Sequence, residues 1–215
     1  MKDSTKKTLD GLFERYPSLN ACRADVFDAA EAICAAYHAG GKLIVCGNGG
    51  SAADAEHIVG ELMKGFLKKR PLPEETRARI KEAFPEDADY LSGNLQGALP
   101  AISLVNQIAL GTAFANDQAA DLVFAQQVLG LGNKGDVLLA ISTSGNSKNV
   151  VYAVETARVC GLKTVALTGR SGGRLKPLAD VTIAVPDDET YRIQELHLPV
   201  YHALCVAAEE EFFEV

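Results

Sequence analysis

Two short segments of the chain are rich in glycine and hydroxyl side chains and could bind an anion. Residues 47–51 read Gly-Asn-Gly-Gly-Ser, and residues 142–147 read Ser-Thr-Ser-Gly-Asn-Ser. Each follows a short apolar run and precedes a helical pattern, so backbone N–H groups and a helix dipole should face a ligand there. The first segment has Ala52 where a Rossmann dinucleotide-binding motif would have a third glycine, and it lacks the lysine of a P-loop. It therefore matches neither of these nucleotide-binding motifs well. Two such loops favour a phosphate monoester, and we predict no nucleotide cofactor.

Four other side chains could perform acid/base or metal chemistry. His57 and Glu61 are four residues apart and therefore share one face of the helix that follows the first loop. Gln194 and His202 lie in an otherwise apolar C-terminal helix, about two turns apart on adjoining faces, so both can face one cleft. The alternatives are an ordinary surface contact between His57 and Glu61, and core histidines that are satisfied by their neighbours.

The elements that must position these residues alternate between strands and helices. Near-continuous apolar runs of this kind, each followed by a helix, are typical of a parallel sheet that is covered on both faces. The sequence predicts an α/β fold, a three-layer α/β/α sandwich with about five parallel strands of the flavodoxin/Rossmann-like type. The predicted strands are residues 42–46, 101–104, 136–141, 163–168 and 181–185.

Helices are predicted before, between and after these strands. Two amphipathic helices precede the first strand, and a long helix ends the chain. Residues 71–95 are polar and interrupted by prolines, so we interpret them as an insertion with a short helix at 74–84, either a lid or a solvated excursion. Ile80, Ala83 and Phe84 are expected to pack that helix. The other predicted helices are residues 4–16, 20–38, 52–66, 107–114, 120–129, 148–160 and 190–213.

The composition limits the classes of protein. The chain has 215 residues, 47% of them hydrophobic and 23% charged, with a net charge of −7. We predict one domain over residues 1–215, in which residues 1–40 form the leading helices. The acidic balance argues against nucleic-acid binding, and the longest basic run is only Lys68-Lys69-Arg70. The apolar runs stop well short of the roughly 20 residues that a membrane span needs. Five scattered cysteines and an amphipathic amino terminus predict buried thiols and a cytoplasmic protein.

These motifs resemble the sugar isomerase (SIS) domain superfamily, and most closely the phosphoheptose isomerases, also called sedoheptulose 7-phosphate isomerases. The two loops, the pair Asn116-Asp117 and the run Arg-Ile-Gln-Glu-Leu-His at 192–197 carry the resemblance. The serine-rich loop is shared by many phosphosugar-binding domains. The more selective feature is the presence of all four of His57, Glu61, Gln194 and His202.

The resemblance implies an aldose–ketose isomerase that converts sedoheptulose 7-phosphate to D-glycero-D-manno-heptose 7-phosphate through an enediol. It assigns acid/base catalysis to Glu61 and His202, and one zinc ion per subunit to His57, Glu61, Gln194 and His202. It further implies a homotetramer and a role in making heptose for lipopolysaccharide or other surface glycans. The implied substrate-binding residues are Asn48, Gly49, Gly50, Ser51, Asn116, Asp117, Ser142, Thr143, Ser144, Ser147 and Gln194.

Two departures from the family pattern keep other functions open. The family motif Glu-Leu-x-Gly-Arg-Phe appears here as Glu-Leu-Met-Lys-Gly-Phe at 61–66, so the cation has moved to Lys64. The insertion at 71–95 is the second departure. The alternatives are an isomerase of another sugar phosphate, and a non-catalytic regulatory or scaffold protein that binds a phosphosugar.

Overall fold

The computed structural model describes residues 1–214 and has a parallel sheet of five strands at its centre. The strands lie in the order β2-β1-β3-β4-β5, and every neighbouring pair is parallel. The predicted fold class is therefore confirmed. The predicted domain extends to Val215, which lies outside the described residues. The strands are β1 (Leu43–Gly47), β2 (Ala101–Ser103), β3 (Val137–Ile141), β4 (Lys163–Thr168) and β5 (Val181–Ala184).

Helices cover both faces of this sheet. The helices α1, α2, α3 and α9 share one apolar core with Leu43 and Val45 of β1, whereas α7 and α8 pack with Ile44 and Cys46 on the opposite face. Successive strand side chains point to opposite faces, so a strand inside three layers must be apolar throughout. The helices are α1 (Asp3–Arg15), α2 (Arg23–His38), α3 (Gly50–Met63), α4 (Glu74–Ala83), α5 (Ala88–Asn94), α6 (Ile108–Phe114), α7 (Val123–Leu131), α8 (Lys148–Val159) and α9 (Thr190–Phe212).

The strand order creates a crevice between β1 and β3. These strands are neighbours, with Leu43 opposite Val137 and Gly47 opposite Ile141. The chain leaves β1 into α3 on one face and leaves β3 into α8 on the other. In open parallel sheets, ligands bind at such a reversal of strand order, beyond the carboxyl ends of the strands.

The insertion forms two helices, α4 and α5, and its two ends are joined to each other by backbone contacts. The predicted helix at 74–84 is confirmed as α4, but its predicted packing is wrong for Ala83 and Phe84: both are exposed, Phe84 by 62%, and only Ile80 is half-buried. The reason is composition, because six of the ten α4 residues are charged. A second helix, α5, was not predicted. The two ends of the insertion, which we call the clamped base, are joined by β-type pairing between Pro71 and Gln96 and by a hydrogen bond from the Gly97 N–H to the Arg70 carbonyl (2.7 Å).

The cysteines are free, and no helix within residues 1–214 has the length and apolar character to cross a membrane. Cys22, Cys34, Cys46 and Cys205 are buried, as the sequence predicts, and Cys160 is partly exposed. Burial raises the pKa of Cys22 to about 11, which keeps that thiol protonated.

A buried carboxylate fastens the amino-terminal helices to α9. Glu211, which is 5% exposed, accepts hydrogen bonds from the Thr5 hydroxyl (2.7 Å), the Lys2 N–H (2.7 Å) and the His38 ring (3.0 Å). Burial by itself would raise the pKa of this carboxyl, but these donors outweigh burial and lower its pKa to about 2. The ionised form is therefore the one that stabilises the fold.

Acid should remove this stabilisation. The folded-state pKa of Glu211 lies below the ordinary value of 4.5, so the contribution is complete above that pH and is lost as the pH falls toward 2. We expect Glu211→Gln to lower the free energy of unfolding by about 1.5–3 kcal/mol at neutral pH. Denaturant unfolding at pH 7, 4 and 3 measures this, and the gap between wild type and variant should narrow with acid. A gap that is constant with pH would contradict the assignment.

Candidate active site

The loop after β1 brings backbone N–H groups and a buried hydroxyl to the crevice. Gly49 has a φ of +57°, which glycine adopts without strain, and α3 begins at the next residue. Ser51 is 3% exposed in the first turn. The side-chain amides of Asn48 and Asn149 exchange two hydrogen bonds (2.9 and 2.8 Å) and so join this loop to α8 across the crevice.

The loop after β3 supplies the other hydroxyls. The hydroxyls of Ser142 and Ser147 are 3.1 Å apart, and the Asn146 N–H donates to the Ser144 hydroxyl (3.2 Å). Gly145 has a φ of +66°, and any Cβ there would collide with the carbonyl of Gly172 in the loop after β4. The first turns of α3 and α8 thus converge with serine hydroxyls, as an anion site requires.

Two nearby side chains hold the carboxylate of Glu61: His57 on the same helix and Lys64 just after its end. One carboxylate oxygen is 3.2 Å from Nε2 of His57, and the other is 2.8 Å from Nζ of Lys64. Its side chain is only 14% exposed. The prediction that His57 and Glu61 share one helix face is confirmed by this direct contact, and Lys64 contacts the same carboxylate.

His202 completes the group from α9. Its ring centroid lies 5.0 Å from that of His57 and 5.5 Å from that of Phe66. Burial lowers the pKa of His202, His57 lowers it further, and Glu61 opposes both. Nε2 of His202 is buried and has no hydrogen-bond partner among residues 1–214. This histidine is therefore neutral near pH 7 and keeps a free nitrogen for a ligand or a proton.

Gln194 and Tyr201 connect α9 to α3. The Gln194 amide lies directly against Gly50, where any side chain would collide with it. The Tyr201 hydroxyl is 3.0 Å from Nδ1 of His57, and the residue is 1% exposed. Gln194 thus lies beside the first loop, and Tyr201 orients the imidazole whose other nitrogen faces Glu61.

Asn116 and Asp117 follow helix α6 and are exposed to solvent. They occupy a π-helical turn, Ala115–Ala119. The Asn116 amide donates to the Asp117 carboxylate (2.8 Å), and within residues 1–214 no side-chain hydrogen bond joins either residue to the two loops. Their predicted role at the substrate stays a prediction.

Sequence reasoning missed three residues. Tyr201 was counted among apolar positions of the last helix, and Asn149 follows the serine-rich loop without any motif of its own. Arg70 belongs to the longest basic run and was given no role, but it is 1% exposed. No local signal marks Arg70, because Glu209, the charged partner that allows its burial, lies 139 residues away.

The donor types at this site fit a zinc ion. Tyr201 holds Nδ1 of His57 as an outer-shell partner holds a zinc-bound histidine, and Nε2 of His202 is buried without a partner. Glu61 and Gln194 add oxygen donors. The fit is one of donor chemistry only, because in the part of the chain that the structure describes no three His, Cys, Asp or Glu side chains converge as a metal cluster.

Comparisons with known proteins identify the family of the chain. The SIS domain family model matches residues 19–92 and 82–169, which is more than half of the chain. A phosphoheptose isomerase of Akkermansia muciniphila is 36% identical over 213 residues, covering 99% of each chain. A solved phosphoheptose isomerase structure from Francisella tularensis has a TM-score of 0.72 and 32% identity, covering 97% of this chain and 99% of that one. One from Neisseria gonorrhoeae has a TM-score of 0.69 and 33% identity, covering 96% and 91%. The chain therefore belongs to the SIS domain family, and within it to the phosphoheptose isomerases.

Proposed function

We propose that the protein is an aldose–ketose isomerase that converts sedoheptulose 7-phosphate to D-glycero-D-manno-heptose 7-phosphate. The observation that carries this proposal is the position of the His57 ring, which contacts the Glu61 carboxylate and packs against the His202 ring, on the helix that follows the loop after β1. A carboxylate and a neutral histidine are the two proton carriers that an enediol mechanism needs. Relatives named phosphoheptose isomerase, similar over nearly the whole chain, support the same activity.

The phosphate of the substrate is proposed to bind between the two loops. Ser51, Ser142, Ser144 and Ser147 would donate hydroxyls, together with N–H groups from the first turns of α3 and α8. Asn48, Gly49, Gly50 and Thr143 would line the same crevice. The net charge of −7 makes these local donors necessary, because the overall field of the chain repels an anion.

At the other end of the sugar, Glu61 is proposed to move the carbon-bound proton. It would take a proton from C1 of the ketose and return it to C2 of the enediol. His202 would carry a proton from the hydroxyl on C1 to the oxygen on C2, and would assist ring opening. His57 and Lys64 hold the two carboxylate oxygens of Glu61, which fixes the orientation of the base.

We also propose that His57, Glu61, Gln194 and His202 hold one zinc ion per subunit. When bound, zinc would act as a Lewis acid toward oxygen atoms of the sugar. Imidazole nitrogens and a carboxylate are ordinary zinc ligands, whereas a glutamine amide is an uncommon one.

The proposed assembly is a homotetramer in the cytoplasm that makes heptose for lipopolysaccharide or other surface glycans. Helix α6 supports an oligomer: none of its residues is buried, and Ile108 is 74% exposed. Asn116 and Asp117 lie on the same segment, so a neighbouring subunit would bring them toward a sugar. Free cysteines support a reducing compartment.

The direct test is incubation of the purified protein with sedoheptulose 7-phosphate, with and without a chelator, beside His202→Ala. We expect formation of the aldose by wild type, loss of it in the variant, and slower turnover with chelator. Binding without turnover would favour a regulatory phosphosugar-binding protein. Turnover of only a pentose or hexose phosphate from a substrate panel would reassign the sugar.

Replacing the base separates chemistry from binding. Glu61→Gln keeps the shape of the side chain but cannot accept the carbon-bound proton, so we expect kcat to fall by roughly 10²–10⁴-fold. Substrate affinity, measured by calorimetry, should stay close to that of wild type. A variant with kcat near wild type would remove Glu61 from the role of base.

Replacing a residue that donates a hydrogen bond to the phosphate should change KM and leave kcat nearly unchanged. Ser51→Ala removes one buried hydroxyl from the anion site, and a hydrogen bond to a charged group accounts for a change of about 10- to 100-fold in affinity. We expect KM to rise by about that factor while kcat stays within a few fold. Steady-state kinetics measures both constants, and an unchanged KM would place the phosphate elsewhere.

A further inference from the structure

The end of the helix that carries Glu61 is not capped by its own backbone. Helix α3 stops at Met63, and Lys64 has extended dihedral angles. The N–H groups that would continue the helix are bonded elsewhere: Gly65 donates to the Gln96 side chain (2.6 Å) and Phe66 donates to the Glu209 carboxylate (2.8 Å). The carbonyls of the last turn therefore need donors from another source.

Arg70 supplies two of those donors from a fully buried position, and the Leu99 N–H adds another at the Leu62 carbonyl (3.0 Å). Nη1 of Arg70 donates to the Leu62 carbonyl (2.7 Å) and its Nη2 to the Glu61 carbonyl (3.1 Å). Its Nε donates to the Glu209 carboxylate (2.8 Å), whose side chain is 1% exposed. A guanidinium offers a rigid fork of donors and a charge that suits a helix C-terminus, which an ammonium cannot match.

Glu209 connects this cap to the helix that carries His202. The two residues lie on α9 about two turns apart. Besides Arg70 and Phe66, the carboxylate accepts hydrogen bonds from the N–H groups of Leu67 (2.7 Å) and Lys68 (3.1 Å). One buried ion pair thus joins the last turn of α3, the connection to the insertion, and α9.

We propose that Arg70 is a positioning residue for the proton transfer at Glu61. It acts through the backbone, because its contacts to the Glu61 and Leu62 carbonyls fix the turn from which the Glu61 side chain extends. Glu209 in turn fixes Arg70 relative to the helix of His202. This role rests on the proposed isomerase activity, in which Glu61 is the base.

The test compares Arg70→Lys with the control variant Glu211→Gln. Both changes alter a buried charged residue that makes several hydrogen bonds. The partners of Glu211, however, are Lys2, Thr5 of α1 and His38 of α2, and none of them lies on α3. We expect Arg70→Lys to lower kcat by roughly 10²-fold, the effect of a misplacement of about 1 Å at a reacting group. KM should change by less than about threefold, since the phosphate loops are untouched.

Two readouts distinguish positioning from loss of fold. Substrate deuterated at C1 should give a larger kinetic isotope effect in Arg70→Lys than in wild type, because proton transfer becomes slower relative to other steps. A smaller folded fraction lowers the rate without changing that effect. Hydrogen exchange of residues 59–65 should also accelerate in Arg70→Lys and not in Glu211→Gln, and this measurement does not depend on activity.

The outcomes separate this inference from the proposed function. Wild type that fails to isomerise the sugar would refute the proposed function, whereas the exchange result would still report on the helix cap. Equal kcat and isotope effect in Arg70→Lys and wild type would overturn the positioning role. Arg70→Gln, which keeps neutral donors, serves as a second variant, and failure of both to fold would assign Arg70 to folding alone and also overturn it.

Discussion

The pairing of β1 with β3 at the centre of the sheet is the constraint on which the site depends. Because the two strands are parallel and adjacent, their carboxyl ends lie side by side, and because α3 and α8 leave on opposite faces, a crevice must open between them. The glycine-rich and serine-rich loops are far apart in sequence but border the same crevice. The Asn48–Asn149 amide pair holds its two sides together.

The proposed acid/base group depends on a second contact, the packing of α3 against α9. Helix α3 brings His57 and Glu61 to this contact, and α9 brings Gln194, Tyr201 and His202. Burial at the contact keeps His202 neutral, while the partly exposed Glu61 retains two polar partners. A neutral imidazole beside a carboxylate can accept and donate protons near neutral pH, and an enediol mechanism requires such proton transfers.

The buried Arg70–Glu209 ion pair has a desolvation cost, and its hydrogen bonds fix the position of two helices. Taking both charges out of water costs several kcal/mol per ion by general estimates, and only complete hydrogen bonding offsets that cost. Here the guanidinium satisfies two helix carbonyls, and the carboxylate accepts three backbone N–H groups. The geometry has little freedom, so the pair specifies where α3 ends and how α9 lies against it.

Local sequence determined much of this protein. The apolar runs determined the five strands to within two residues at each end, because an interior parallel strand must be apolar on both faces. Spacing along one helix determined the contact between His57 and Glu61. Tertiary structure alone decided what depends on distant residues: that Tyr201 meets His57, that Arg70 is buried on Glu209, and that α4 stays exposed on its clamped base. Those contacts join residues more than a hundred positions apart in two of the three cases, and no periodicity in a sequence encodes such a distance.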